Sequence, residues 1–529
     1  MIHTKLAIVF GVLILSLQGC TEFSDQSSAT SYEYAISVSA TGLSNAPALQ
    51  SFAHASDGPN WLLFAGRTNR TNDDGGLHDL KGNYTSTSFV PPSFNERIFV
   101  YNVDKDTSWS LSFIELQTHI GLVNSPGSEI ITKAALIEKM LEFGTVFRNS
   151  NPLVTQEGDF LYLVGGYGTP LLERNSSNAY QTFSHVARIH VPSMIALVKK
   201  EYEKVDLAEL FFVGKNEKLK STGGELFMIG DSLYLAGGHD FGNTAPDFQR
   251  YVDAVYPFKA TPANDFTLDI TLGTPLTDVP KDSLGTAYAD NHSTFRRRDG
   301  PVVPSLFKNA SGSLSKGLTF YSGVFKPDSV AITPDSTNPA KMDTTTWNRA
   351  WNTAIYVHPG IGPDSSYTFD PVYYQGNENV YACANFGLYD STSNSVHTFL
   401  LGGIGNGQSA GPLQLSGFTN GGMHIQFDID RMSSAQTLTD NIFGTSYFYG
   451  AESAFLVNSD SGIEFFNTGS EYSDLIDADA TFGSTQSIDV GYIYGGIEAF
   501  QANPGTFGGG NSAASNKIWK VTLTRTPEQ

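Results

Sequence analysis

The side chains of this chain that could do chemistry are few and widely spaced. Arg296, Arg297, Arg298 and Asp299 stand in a row within HSTFRRRDGPVVP, in a chain of 529 residues with only 32 Lys+Arg against 53 Asp+Glu. On an extended segment, alternation sends Arg296 and Arg298 to one side. There they would make a fork for a carboxylate or phosphate, or an internal ion-pair clamp with Asp299. Cys383, in YACANFGLYD with Asn385, would be a nucleophile only as a thiolate; buried, it is a small apolar side chain. His239 beside Asp240 could move a proton or merely cap a turn. The eleven histidines include no HxxxH or HxH spacing, and two cysteines are too few for a thiolate zinc site. The acidic runs DLIDAD (474–479) and DKD (104–106) lack EF-hand spacing. The expectation is therefore no metal and no cofactor.

What must position these residues is a recurring strand. Apolar runs end in a glycine pair at LYLVGG (Gly165-Gly166), LYLAGG (Gly237-Gly238), FLLGG (Gly402-Gly403) and YIYGG (Gly495-Gly496). Weaker copies end at Gly66 (LLFAG) and Gly323 (FYSG). Six ordered copies of one signature mean a repeat architecture. Tight turns precede two of them, Glu157-Gly158-Asp159 and Gly230-Asp231-Ser232. Abundant glycine (52) and 12% aromatics agree with a strand-rich chain.

The first copy continues through NERIFVYNVDKDTSWSLSF (95–113) and resembles a kelch repeat, with Gly66, Tyr101 and Trp109 at the motif positions and Ala65 in place of the first glycine. The resemblance covers residues 32–524 and is to kelch-repeat lipoproteins of bacteria, with a propeller like the central domain of galactose oxidase. It implies an all-β, six-bladed kelch-like β-propeller over 32–527. The last glycines stand at 66, 166, 238, 323, 403 and 496. These spacings exceed the roughly 50 residues of a plain repeat, so long loop insertions are expected. Two insertions read as short helices, 128–143 and 192–204. Residues 516–524 supply a third strand to the last blade, and YEYAISVSA (32–40) is expected to close it as the outermost strand.

In such a propeller, loops after the glycine pairs and loops entering the innermost strands share the face at the channel mouth. That places Arg67, Tyr167, His239, Asp240, Asn406 and Glu498 there on one count, and Asn151, Arg296, Arg298, Asp299, Cys383, Asn385 and Glu452 on the other. The copper site of galactose oxidases does not transfer, because the spare cysteine lies late and no Tyr-His pair is adjacent. Sialic-acid mutarotases match only in the general glycine-pair pattern. NSDSGIEF (458–465) resembles a sialidase Asp-box with Asn in place of Ser or Thr, and reads as a hairpin turn.

Leu6 to Leu17 is an apolar stretch that fits a signal-peptide core and ends in Leu17-Gln18-Gly19-Cys20. This resembles the lipobox of bacterial lipoproteins. It implies a signal peptide over 1–19, lipidation of Cys20, a tether over 20–31, and a lipid-anchored envelope protein, with Thr21 favouring the outer membrane. Net charge of −21 argues against nucleic acid as a partner. The functional expectation is a binding module for a glycan or protein. The alternative is an enzyme of isomerase, mutarotase or lyase type, acting on a sugar or small acidic substrate at the same mouth.

Overall fold

The computed structural model describes residues 31–68, 93–124, 130–173, 179–242, 249–278, 293–326, 334–335, 338–342, 349–358, 367–370, 372–375, 380–405, 417–483, 486–500, 502 and 512–528. Cys20, the leader and Asn406 lie outside them. The described chain is mostly strand, as an all-β propeller requires. Six of its sheets carry four or more strands.

The first five follow one plan, in which each strand pairs antiparallel with the next along the chain. Sheet one runs Ala53–Asp57, Asn60–Phe64, Arg97–Asn102, Thr107–Ser112. Sheet two runs Leu153–Glu157, Phe160–Val164, His185–His190, Phe211–Lys215. Sheet three runs Thr222–Ile229, Ser232–Phe241, Val255–Pro262, Leu268–Leu272. Sheet four runs Val302–Lys308, Leu314–Phe320, Ile355–Val357, Tyr367–Phe369. Sheet five runs Ala384–Asp390, Ser395–Leu401, Gly422–Asp428, Ser433–Thr439.

Sheet six joins both ends of the chain. Ala454–Val457, Ser487–Tyr494 and Ile518–Pro527 are followed in space by Tyr32–Ala40, which pairs in unbroken register from Tyr32↔Pro527 to Ala40↔Trp519. Tyr34 anchors this edge strand, donating to Asp390 of sheet five at 2.9 Å and packing its ring at a tilt against His397.

The glycine pairs let neighbouring sheets meet. At Gly165 (φ +67°) a Cβ would sit 2.0 Å from the Ser221 carbonyl oxygen, and the next amide, Gly166, donates to that oxygen at 2.9 Å. One glycine admits the carbonyl and the other binds it. The second glycines of sheets three, five and six donate in the same way to Arg297, Tyr449 and Leu49 at the entry to the following sheet. In the first copy Ala65 accepts the strained torsion itself, at φ +54°.

Helices fill the insertions. Helix α1 (Phe113–Leu122) begins in a capping box between Ser112 and Glu115, so the strand expected to reach Phe113 ends at Ser112. Helix α2 (Ile130–Phe147) extends beyond the helix expected at 128–143. Helix α3 (Val191–Lys199) stops at Lys200, which takes a left-handed torsion, and a short turn Tyr202–Lys204 follows. No helix among the described residues is long and apolar enough to cross a membrane.

Candidate functional site

The six inner strands begin at one place. At or just before the start of each, one residue takes a left-handed torsion: Ser51, Asn151, Gly223, Asp299, Ala382 and Glu452, with φ between 48° and 66°. Their backbones form a closed ring of hydrogen bonds. Asn151 N–H donates to Ser51 C=O (3.0 Å), Gly223 to Asn151 (3.3 Å), Asp299 to Gly223 (2.8 Å), Ala382 to Asp299 (2.5 Å), Glu452 to Ala382 (2.8 Å), and Ser51 to Glu452 (3.3 Å). Five of the six are not glycine, and left-handed torsions at such residues mark over-determined positions.

Inside this ring lies a cavity of 140 Å³ whose lining includes Ser51, His54, Asn151, Glu225, Asp299, Cys383 and Glu452. A second cavity of 640 Å³ continues from it between the strands. His54, Val154, Glu225, Cys383, Ser453 and Ala454 line both, so the two form one continuous channel.

Three carboxyl groups dominate the narrow end. Burial pushes Glu225 up to about 8, with Glu452 and Asp299 adding repulsion. Burial and the charge of Asp299 push Glu452 up to about 7, against the opposing pull of the Ser51 hydrogen bond, Arg67 and Arg298. Burial likewise raises Asp299, against the pull of Arg298. At neutral pH the mouth therefore holds carboxyl groups that both donate and accept hydrogen bonds. His54 is driven down to about 4 by burial and is neutral. Among the described residues no three His, Cys, Asp or Glu side chains are placed to share a metal ion.

The arginine row splits as alternation requires. Arg297 is fully buried, its guanidinium donating to the carbonyls of Thr294 and Thr353 and lying 4.7 Å from the Trp351 ring. It is a packing element. Arg296 stacks on Tyr251 at 3.7 Å, while Arg298 pairs with Asp299 at 3.3 Å and reaches His239 Nε2 at 3.4 Å. His239, buried beside Arg296 and Arg298, is pushed well below its ordinary value and stays neutral.

Of the other residues read from the sequence, Asp299 and Cys383 line the narrow cavity and Asn385 the wide one. The Cys383 thiol is pushed up to about 12, first by burial, so it is no thiolate at neutral pH. Arg67 is buried against the Gln50 carboxamide and near enough to Glu452 to feel its charge. Tyr167 is packed away, stacked on Tyr180 with ring centroids 5.8 Å apart. Asp240 pairs in register with Arg250, and Glu498 accepts from the Tyr449 hydroxyl at 2.9 Å. The acidic runs are structural: Asp106 accepts from Tyr101 and from the Asn45 amide, Asp474 pairs with Lys316, and Asp477 caps a helix turn.

Glu225, His54 and Ser51 escaped the sequence reading. Strand register makes Glu225 the counterpart of Ala53, Leu153, Ala384 and Ala454, each pairing with the residue two before the last glycine of its sheet. A carboxylate among small and apolar residues at one repeat position was the available signal.

No protein-family model matches the chain, and no curated protein matches it. Among solved structures, one titled "Structure of YjhT" aligns with a TM-score of 0.41 and 10% identity, over 91% of this chain and 100% of that one. Likeness at this level transfers no residue roles.

Proposed function

We propose that the six sheets are the blades of a closed, kelch-like propeller, held at the bacterial cell envelope through a lipid on Cys20, and that its glycine-pair face binds the end of a glycan. The observation that carries this reading is the convergence of Glu225, Asp299 and Glu452 on one small cavity inside the backbone ring. Partly protonated carboxyl groups suit vicinal hydroxyls, which need donors and acceptors side by side. A protein partner fits a 140 Å³ recess less well than a single sugar unit does.

The charges argue against an anionic ligand. Arg298 is engaged by Asp299, and Arg67 lies against Gln50 and close to Glu452, so three carboxyl groups face two guanidinium groups that already have partners. The enzyme reading retains support for a neutral sugar, because Glu225 and Glu452 titrate near neutrality and could serve as acid and base.

The test is a glycan-binding screen on the purified protein, repeated with Glu452→Gln and Arg298→Ala. Binding that Glu452→Gln weakens at least tenfold supports the site. Binding untouched by both substitutions overturns it. Turnover of a bound sugar, lost in Glu225→Gln, would favour the enzyme.

A further inference from the structure

The channel is not symmetric end to end. In sheets one, two and three the inner strand turns directly into the second strand, at Gly58-Pro59, Gly158-Asp159 and Gly230-Asp231. In sheet six residues 458–486 intervene between Val457 and Ser487. Part of this insertion is a hairpin, Phe465–Asn467 with Tyr472–Asp477. It leaves its own sheet and adds to the inner-strand edge of sheet five, where Leu388 and Tyr389 pair parallel with Ile476 and Asp477.

The hairpin is fastened across the far end of the channel. Glu471 accepts from the Gly230 amide of sheet three at 2.6 Å, and Asp474 pairs at 2.6 Å with Lys316 of sheet four, whose side chain is 2% exposed. Asp474 makes this contact from a left-handed torsion, φ 60°. A strained non-glycine residue that holds a buried cation marks a position fixed by its surroundings.

Between the hairpin and the inner strands lies the 640 Å³ chamber. Its walls combine aromatic rings, Phe227, Phe455, Phe465 and the exposed Tyr472, with the carboxylates of Glu157 and Asp474. Lys316 neutralises one carboxylate. Glu157 stands at the exposed end of its strand and has no ion-pair partner among the described residues; partial desolvation, Asp474 and Glu471 raise its pKa, with Lys316 opposing. At the inner end, His54 Nδ1 is buried with no hydrogen-bond partner. Aromatic faces beside an excess of negative charge attract an organic cation, through the ring quadrupole and the carboxylates together.

We propose that this hairpin-roofed chamber binds a small primary amine carrying an apolar or aromatic body, with the ammonium group at Glu157 and the body against Phe455, Phe465 and Tyr472. The site lies at the opposite end of the channel from the glycan mouth and does not depend on that reading.

The test titrates the purified protein with phenethylammonium, phenethyl alcohol and 3-phenylpropionate, followed by calorimetry. Expected are saturable binding of the amine, at least tenfold weaker binding of the alcohol, and none of the acid. Glu157→Gln, checked for an unchanged melting temperature, should weaken the amine about tenfold, and Tyr472→Ala should weaken it too. Arg298→Ala, at the other mouth, should leave it unchanged. No saturable amine binding, equal binding of amine and alcohol, or full affinity in Glu157→Gln would each overturn the proposal.

Discussion

Ser51 and Glu452, which stand 401 positions apart in the chain, are joined twice: the Ser51 amide donates to the Glu452 carbonyl at 3.3 Å, and the Ser51 hydroxyl donates to the Glu452 carboxylate at 2.7 Å. The first bond completes the ring around the channel, and the second tunes a carboxyl group inside it. Removing the hydroxyl takes away a bond that favours the charged form. Ser51→Ala should therefore move Glu452 above its value of about 7 and destabilise the fold by about 1 kcal/mol. An NMR titration of the carboxyl carbons reads the first effect, and an unmoved Glu452 would contradict it.

Stability should fall as pH rises through neutrality. Glu225 titrates at about 8 in the fold against an ordinary 4.5, so the native state binds the proton more tightly than the unfolded chain does. Its contribution is full below about 4.5 and is lost as pH rises through about 8. Denaturation midpoints measured from pH 5 to pH 9 should decline over that window. Glu225→Gln should flatten the decline, and an identical slope in the variant would count against the assignment.

Two glycines separate torsional strain from steric contact. Gly158 and Gly165 both have positive φ, 54° and 67°, but a Cβ at Gly158 meets nothing within 4 Å, whereas at Gly165 it meets the Ser221 oxygen at 2.0 Å. Gly158→Ala should cost about 1 kcal/mol and Gly165→Ala at least about 3 kcal/mol. Equal losses in chemical denaturation would show that the inter-sheet contact can relax.

Removing residues 31–41 strips sheet six of its outer strand and leaves Asp390 without the Tyr34 hydroxyl. The truncated protein should melt well below the intact one, by 10 °C or more as an order of magnitude. Tyr34→Phe alone should lose about 1–2 kcal/mol, since the bond it removes ends on a carboxylate. A truncation that melts with the intact protein would remove the closing role of this strand.

The scaffold was legible because its rules are local. An apolar run that stops at a glycine pair declares both its strand and the close approach at its end, and the alternation in Tyr32–Ala40 declares an amphipathic edge. The row Arg296 to Arg298 also divided as a period of two demands, though nothing local told which side would meet Trp351. The hairpin at 465–477 was hidden for the opposite reason. Its strands are short, and its partner is a parallel strand about ninety positions away, so no nearby residue records the pairing. Helix α1 carried its signal openly in Ser112 and Glu115, but the strand pattern before it masked the change of period. Glu225 needed the six repeats aligned position by position before its charge stood out.

The ring of six hydrogen bonds has an electrical corollary. Each amide points to its neighbour in the same sense of rotation, so the components of these bonds that lie in the plane of the ring run head to tail and cancel. Unlike a helix terminus, which greets a ligand with unpaired N–H groups and a standing half-charge, this collar has its six N–H groups paired with one another. A single carboxamide substituted for a carboxylate should then change the polarity of the pore without disturbing the collar.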